Sequence, residues 1–181
     1  HPGATVVSLG EGLETQRHRV EGYGRWVSVD LPEVIDLRER FIAPTPRHLH
    51  LRGDAADLGW LDALEPGACV IAQGLFMYLD PDAVRRILTS WWARSAPVDG
   101  ARSALLFDVV PPWVSRLSRL RVPLTPRFRL PPMPWGARRE ALEPMLAEIL
   151  GEGADVAFHP CPLPAGPIRV AGTTVVVEIR T

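Results

Sequence analysis

The sequence predicts an α/β fold with a doubly wound, mostly parallel sheet that ends in an antiparallel hairpin. Short runs rich in Val, Ile and Leu recur along the chain, and stretches with the apolar spacing of a helix lie between them. Several of these runs end on Gly or Asp, as buried parallel strands do where they reach a ligand site. The last two runs lie too close together for a crossover helix, so we expect them to pair antiparallel.

The predicted strands share an apolar or alternating pattern of four to eight residues. In chain order they are Thr5–Leu9, Trp26–Val29, His48–Leu51, Ala68–Ala72, Ser103–Val110, Asp155–Phe158 and Thr173–Ile179. The predicted helices run from Leu13 toward Val20, from Pro32 to before Pro44, over Leu58–Leu64, from Asp80 through Trp91 and over Ala141–Leu150. Residues 111–136 show no clear period, and a loop of that length in a compact domain is usually functional. We therefore expect one domain over residues 1–181, with a lid or substrate loop at 111–136.

The composition narrows the classes of function. The chain has 181 residues, a net charge of −1 and 46% hydrophobic residues, which suits one globular domain. This charge does not favour nucleic acid or an anionic membrane as a partner, and no apolar run is long enough to cross a bilayer. Cys69 lies in an apolar run far from Cys161, which favours a buried free thiol and a reducing, cytoplasmic setting.

The first strand ends in a glycine turn. In a doubly wound sheet, ligands bind beyond the carboxyl ends of the strands, and glycines there let a ligand approach the backbone. The segment Gly10-Glu11-Gly12 has this character, although Gly-x-Gly alone indicates only a turn. Leu13-Glu14-Thr15 follows, so the third glycine of the dinucleotide fingerprint is missing, which argues against NAD.

The next three strands also end in residues suited to a ligand. Asp30 ends the second strand and could accept the hydroxyls of a ribose, or it could cap the helix that begins at Leu31-Pro32. Asp54 ends the third strand and could accept an adenine amino group, or it could be a cap or turn residue. Gln73-Gly74 ends the fourth strand, with Tyr78 just beyond it. Taken together and in this order, these strand ends indicate a ligand site more specifically than any one of them does alone.

Several blocks resemble the leucine carboxyl methyltransferase family, and within it the tetracenomycin type of polyketide O-methyltransferase. They are Leu9-Gly10-Glu11-Gly12-Leu13-Glu14-Thr15, Val29-Asp30-Leu31-Pro32-Glu33, Gly53-Asp54, the segment Ala72–Leu79, and Pro131–Gly136. The resemblance extends from about Thr5 to the end of the chain. It implies a class I methyltransferase (Rossmann-like) fold and S-adenosylmethionine as cofactor. Family members carry a helical segment before the first strand, and we expect this chain to lack it.

The resemblance also assigns roles to residues. It implies that Gly10 and Gly12 line the methionine part of S-adenosylmethionine, and that Asp30, with Leu31 beside it, holds the ribose. The remaining assignments are Asp54 with Ala55 at the adenine, Gln73 with Gly74 beside the sulfonium, and Tyr78 near the methyl acceptor. Gln73 stands where many relatives carry Glu, so it can form a hydrogen bond but brings no charge.

The resemblance predicts methyl transfer to a carboxylate of a small molecule, and it suggests a polyketide-type secondary metabolite as that molecule. A carboxylate is ionised at pH 7, so its methylation needs alignment and exclusion of water rather than a strong base. A phenol acceptor would benefit from a base, and the histidines that could supply one are His18, His48, His50 and His159. The alternatives are a catalytically silent cofactor-binding or scaffold relative shortened at its N-terminus, and an NAD-dependent oxidoreductase.

Three other features have plainer readings. His48 and His50 point to one face of a strand, but no further metal ligands are evident, so a polar face on a half-buried strand is expected and no metal. A run of arginines could attract an acidic substrate or nucleic acid, but a solvated lid is the expected reading; it consists of Arg116, Arg119, Arg121, Arg127 and Arg129. Trp135 is expected to pack in the core or lid.

Overall fold

The computed structural model describes residues 2–121, 123–125, 127–160 and 174–181, and only the backbone of residues 124 and 128. The strands in this part of the chain are β1 Thr5–Leu9, β2 Arg25–Asp30, β3 His48–Arg52, β4 Cys69–Ala72, β5 Ala104–Val109, β6 Pro123–Thr125, β7 Phe128–Arg129, β8 Asp155–Pro160 and β9 Val175–Arg180. The α-helices there are α1 Pro32–Glu39, α2 Pro81–Arg94, α3 Pro112–Ser118 and α4 Arg139–Leu150. Short 3-10 helices cover Gln16–His18, Ala55–Asp57, Gly59–Ala63 and Phe76–Tyr78.

Seven of the described strands form one sheet in the order β3-β2-β1-β4-β5-β9-β8. Strands β1 to β5 are parallel, and β9 pairs antiparallel with both β5 and β8. The predicted mostly parallel sheet with a C-terminal antiparallel hairpin is therefore confirmed. Because β1 to β4 run the same way, the residues that follow Leu9, Asp30, Arg52 and Ala72 meet at one edge of the sheet.

The two faces of the sheet differ in chemistry. One face carries the alternate residues Val7, Val27, Val70 and Leu105, and it packs under α2, α4 and Trp60 in one apolar core. On α2, the predicted face of Val84, Ile87, Leu88 and Trp91 is fully buried. The opposite face is polar under α1, where Ser28 and His48 are buried. This difference separates an apolar core from a buried polar layer next to the candidate site.

Some predicted elements are wrong. The helix expected from Leu13 toward Val20 is only the 3-10 turn Gln16–His18, and the short helix expected over Leu58–Leu64 is the 3-10 helix Gly59–Ala63. The stretch 111–136 contains α3 and the hairpin β6–β7, although no period predicted them. The last strand begins at Val175, and Thr173 lies outside the described residues.

Cys69, in β4, carries a thiol that is mostly buried. Cys69 is free, and burial raises the pKa of its thiol to about 11. Cys161 lies outside the described residues. Among the helices of the described ranges, none has both the length and the apolar character needed to cross a bilayer.

Candidate functional site

Two recesses lie at the carboxyl ends of the strands and share Gly10. Each has a volume of about 210 Å³. The Asp30 recess is lined by Gly10, Val29, Asp30, Leu31, Gly53, Asp54, Ala55, Leu75, Tyr78 and Leu79. The Gln73 recess is lined by Ser8, Leu9, Gly10, Glu11, Glu14, Gln16, Gln73 and Gly74. A larger cavity of about 260 Å³ lies beside α4 and β8, at the far edge of the sheet from this site.

Asp30 connects the end of β2 to the glycine turn. Its Oδ2 accepts a hydrogen bond from the amide of Gly12 at 2.7 Å, and its Oδ1 accepts from the amide of Leu31 at 2.8 Å. The N-cap position of α1 is Leu31, without a side-chain cap, so Asp30 is not the N-cap residue. A carboxylate offers about four acceptor positions, so Asp30 can hold the turn and still accept from a ligand.

Asp54 is a cap residue. Its Oδ1 accepts a hydrogen bond from the amide of Ala56 at 2.8 Å and begins the 3-10 helix Ala55–Asp57. The cap interpretation is therefore correct here, and Asp54 still lines the Asp30 recess beside the buried Ala55. The amide of Gly53 donates to the carbonyl of Asp30 at 2.9 Å, which joins the ends of β2 and β3.

Gly10 is required by both its conformation and its neighbour. Its φ is +63°, and a Cβ there would lie 2.9 Å from Cδ1 of Leu75. Gly12 has φ +55° but open space around it, so only the backbone conformation favours glycine there. The two glycines therefore form a sharp turn, but only Gly10 lines the recesses; Gly12 lines neither of them.

Gln73 and Tyr78 lie in different recesses. Gln73 and Gly74 line the Gln73 recess, whereas Tyr78, which is 43% exposed, lines the Asp30 recess. The structure thus brings Tyr78 together with Asp30 and Asp54 and not with Gln73.

Asp108, near the end of β5, holds the turn after β4. Its Oδ1 accepts from the amide of Gly74 at 2.6 Å. Burial raises the pKa of the Asp108 carboxyl, and the Gly74 hydrogen bond opposes that rise. Sequence reasoning missed Asp108, although it stands at a strand end like the other candidates.

Glu11 and Glu14 both line the Gln73 recess, but only the Glu14 side chain is exposed there, because the Glu11 carboxylate is buried against Arg38 and Trp26. Glu14 accepts from Arg19 at 2.8 Å and from the amide of Thr15 at 2.7 Å, and the bond from Arg19 chiefly lowers its pKa. Burial raises the pKa of Glu11, and hydrogen bonds and the nearby Arg38 oppose that rise. A ligand with an ammonium group would find acceptors here.

Arg38 of α1 lies fully buried under the glycine turn. Its Nη1 donates to the carbonyl oxygens of Gly12 at 2.7 Å and Glu14 at 3.0 Å, and its Nη2 lies 3.2 Å from Oε1 of Glu11. Sequence reasoning missed Arg38 because an arginine on a surface helix is usually solvated. Its spacing of three residues from the buried Ile35, which places both on one helix face, was the available signal.

The histidines lie apart from both recesses. None of the described residues that line either recess is a histidine. The rings of His48 and His50 share a face as predicted, with centroids 4.6 Å apart, and the strand is half-buried as expected, with these two side chains inside and Leu49 and Arg52 exposed. Burial chiefly lowers the pKa of His48, to about 3, so it is neutral at pH 7.

The segment after β5 packs against the 3-10 helix Phe76–Tyr78, which follows the turn at Gln73-Gly74. Trp135 is buried against the rings of Phe76 and Phe107, at centroid distances of 6.3 and 6.2 Å, as the core interpretation predicts. A Cβ on Gly136 would lie 2.9 Å from the carbonyl of Val110, so only glycine fits there. The arginines of the basic run are exposed, as predicted.

The strand order and the site at the strand ends define the class I methyltransferase fold. A protein of Listeria monocytogenes assigned as an S-adenosylmethionine-dependent methyltransferase superposes with a TM-score of 0.67 and 14% identity, covering 99% of this chain and 91% of that one. The N-methyltransferase NodS of Bradyrhizobium japonicum superposes with a TM-score of 0.60 and 11% identity, covering 99% and 86%. At these identities the similarity concerns the fold.

One curated relative shows similarity in sequence. The chain is 30% identical over 127 residues to the tetracenomycin polyketide synthesis O-methyltransferase TcmP of Streptomyces glaucescens. The match covers 66% of this chain and 44% of that protein, so the chain spans less than half the length of its relative. No protein-family model matches the chain. The chain is therefore distantly similar, over part of its length, to a polyketide O-methyltransferase.

Proposed function

We propose that this chain binds S-adenosylmethionine and takes part in methyl transfer to a carboxylate oxygen of a small molecule. The observation that carries the proposal is the pair of recesses that share Gly10, on a class I methyltransferase fold. The partial similarity to a polyketide O-methyltransferase supports both the reaction and a small-molecule acceptor.

The cofactor assignments follow the chemistry of the recesses. The Asp30 recess would hold the nucleoside: Asp30 would accept the ribose hydroxyls, and Asp54 with Ala55 would receive the adenine between Leu31 and Leu79. The Gln73 recess would hold the methionine part, with its ammonium group toward Glu14 and its sulfonium beside Gln73 and Gly74. Gly10 and Gly12 would let the chain of the ligand pass between the recesses.

S-Adenosylmethionine supplies an electrophilic methyl group when it is bound. A lone pair of the acceptor carboxylate forms the new O–CH₃ bond, the S–CH₃ electrons stay on sulfur, and the products are a methyl ester and S-adenosylhomocysteine. This chain would supply alignment and exclusion of water, since the acceptor is already ionised. We propose residues 111–136 as part of the acceptor site, where the exposed arginines could hold an acid, and Tyr78 as a residue near the acceptor.

Isothermal calorimetry of the folded chain with S-adenosylhomocysteine tests the cofactor assignment. One-to-one binding is expected, and the absence of heat from a folded sample would contradict it. Methyl transfer is then tested with methyl-labelled S-adenosylmethionine and aromatic hydroxy acids, which offer a carboxylate and a phenol on one molecule. A methyl ester releases labelled methanol in mild alkali, whereas a phenol ether keeps its label.

A second candidate is a cofactor-binding protein without transferase activity. The described residues that line the two recesses include no Arg and no His, so no cationic side chain there would pair with an acceptor carboxylate. Binding of S-adenosylhomocysteine without transfer of label to any of the acids would favour this candidate.

A further inference from the structure

A buried polar cluster lies beneath the glycine turn, on the face of the sheet that α1 covers. The Glu11 cluster consists of Glu11, Trp26, Ser28, Arg38 and His48, and each of these residues is at most 7% exposed. Buried charged and polar groups are costly unless they are paired, so their contacts indicate what the cluster does.

Arg38 holds the backbone of the turn. It donates to the carbonyl oxygens of Gly12 and Glu14. These residues lie outside any helix, so no helical amide is available to bond to their carbonyls. The amide of Gly12 donates to Asp30 on the opposite side, so Gly12 is held through both of its backbone polar groups. The turn is therefore held from one side by the Asp30 carboxylate and from the other by the Arg38 guanidinium.

Glu11 in turn holds Arg38. Its Oε1 lies 3.2 Å from Nη2 of Arg38, and its carboxylate also accepts from Nε1 of Trp26 at 3.2 Å. The contact between Nη2 and Glu11 is an ion pair without hydrogen-bond geometry, and Nε has no hydrogen-bond partner among the described residues. The two bonds from Nη1 and the charge of Glu11 therefore hold the guanidinium.

Ser28 and His48 are the remaining members of the cluster. Oγ of Ser28 lies 2.7 Å from Nε2 of His48, and the Ser28 hydroxyl also lowers the pKa of the nearby Glu11 carboxyl, against the rise that burial causes. Nδ1 of His48 has no partner among the described residues, and an orphaned acceptor is less costly than an orphaned N–H. We therefore assign the proton of neutral His48 to Nε2, which donates to Oγ of Ser28 and leaves the Ser28 hydroxyl free to donate elsewhere. The Trp26 N–H and the charge of Arg38 favour the ionised form of Glu11, against the effect of its burial.

We propose that Arg38, held by Glu11, is a positioning residue that keeps the Gly12–Glu14 backbone in the shape that receives the amino-acid part of the cofactor. The inference rests on the proposed function, and it adds a residue that touches neither recess. The Asp30 recess is closed by Leu31, Asp54, Leu75 and Leu79, none of which contacts Arg38. Loss of Arg38 should therefore weaken binding of the amino-acid half of the ligand more than binding of the nucleoside half.

Two ligands that differ in that half test the proposal. S-Adenosylhomocysteine carries the amino-acid tail, and 5′-methylthioadenosine shares its nucleoside and thioether but lacks the tail. In calorimetry, Arg38→Met is expected to weaken S-adenosylhomocysteine about tenfold or more, and 5′-methylthioadenosine less than about threefold. Arg38→Lys, which keeps a charge beside Glu11, is expected to recover part of the loss. Leu146→Ala, a core change in α4, is the control that lowers stability with both affinities unchanged.

Equal losses for both ligands in Arg38→Met, or no loss for either, would overturn the proposal. If Arg38→Met does not fold, Arg38→Lys carries the same comparison. If the folded wild-type chain binds neither ligand, the proposed function fails, and amide hydrogen exchange then decides the role of Arg38. Exchange at Gly12 and Glu14 should be faster in the Arg38 variant than in Leu146→Ala, and unchanged exchange would reject the role.

Discussion

At the scale of single residues, Asp30 holds the glycine turn and does not cap α1, the plainer role that the sequence offered. It binds the amides of Gly12 and Leu31 and still faces the Asp30 recess. Asp30→Ala is expected to lower the affinity for S-adenosylhomocysteine about ten- to a hundredfold, because it removes charge-assisted hydrogen bonds to the ribose and loosens the turn. Calorimetry measures the change.

Asp36→Ala is the matched control for Asp30. Asp36 is an exposed carboxylate of α1 that pairs with Arg52 at 2.9 Å, outside both recesses. Its loss should leave the affinity unchanged. Unchanged affinity in Asp30→Ala would show that the ribose lies elsewhere.

Gly10 provides a steric test of the junction between the recesses. Gly10→Ala places a methyl group 2.9 Å from Leu75 at a φ of +63°, so we expect it to lower the free energy of unfolding by about 1–2 kcal/mol from the backbone alone. Chemical denaturation measures the loss. Gly59→Ala is the control, because a Cβ at Gly59 meets open space at an ordinary φ. Equal stability of the two variants would contradict the turn geometry.

His48 predicts a dependence of stability on pH. Burial, together with Arg17 and the neighbouring charges of His50, Arg38 and His18, holds its pKa near 3, below the ordinary 6.5. The unfolded chain therefore binds a proton that the folded chain refuses between these values, and stability falls as the pH drops from about 6.5 toward 3. The loss reaches about 3 kcal/mol by pH 4.

Urea denaturation of the wild type and His48→Asn across pH 4 to 7 measures this loss. The variant should show a shallower slope over that range. His159→Asn is the control, since His159 is 53% exposed. Identical slopes in the wild type and His48→Asn would contradict the assignment of a neutral, buried His48.

At the scale of elements, the seven strands of the main sheet were predictable from their apolar or alternating runs, and Gly or Asp marks the ends of the first three. The helix expected after β1 does not form, and the carbonyls of Gly12 and Glu14, which would begin its hydrogen-bond ladder, bind Arg38 instead. Helix α3 escaped prediction because its inner face is polar: Ser115 donates to the carbonyl of Met133. An apolar period cannot reveal contacts of this kind.

Helix α4 contains a proline that costs stability. Pro144 lies inside the helix Arg139–Leu150 and supplies no amide to the ladder. Pro144→Ala is therefore expected to raise the free energy of unfolding by about 1–3 kcal/mol. Pro81, in the first turn of α2, is the control, because proline suits that position and Pro81→Ala should not stabilise. Thermal denaturation that shows the reverse order would refute this account of α4.

At the scale of the whole molecule, sequence could predict where the site lies but not what supports it. The ends of parallel strands must meet at one edge, so Gly10, Asp30, Asp54 and Gln73 converge whatever the loops do. Arg38 lies on α1 and Asp108 near the end of β5. Each bonds to a turn of the site that is distant in sequence, so only the folded chain reveals the contact. The net charge also conceals a local imbalance. The chain has a net charge of −1, yet no acidic residue lies between Asp108 and Glu140.

A ligand that binds only the folded chain stabilises the whole molecule by mass action. At a concentration of S-adenosylhomocysteine 100 times its dissociation constant, the gain is about 2.7 kcal/mol. For a domain of this size that gain corresponds to a rise in melting temperature of about 5–10 °C, measurable by differential scanning calorimetry. NAD is the control, because Leu13-Glu14-Thr15 stands where a dinucleotide site needs its third glycine, so NAD should produce no shift. A shift with NAD and none with S-adenosylhomocysteine would assign the recesses to a dinucleotide and reject the methyltransferase proposal.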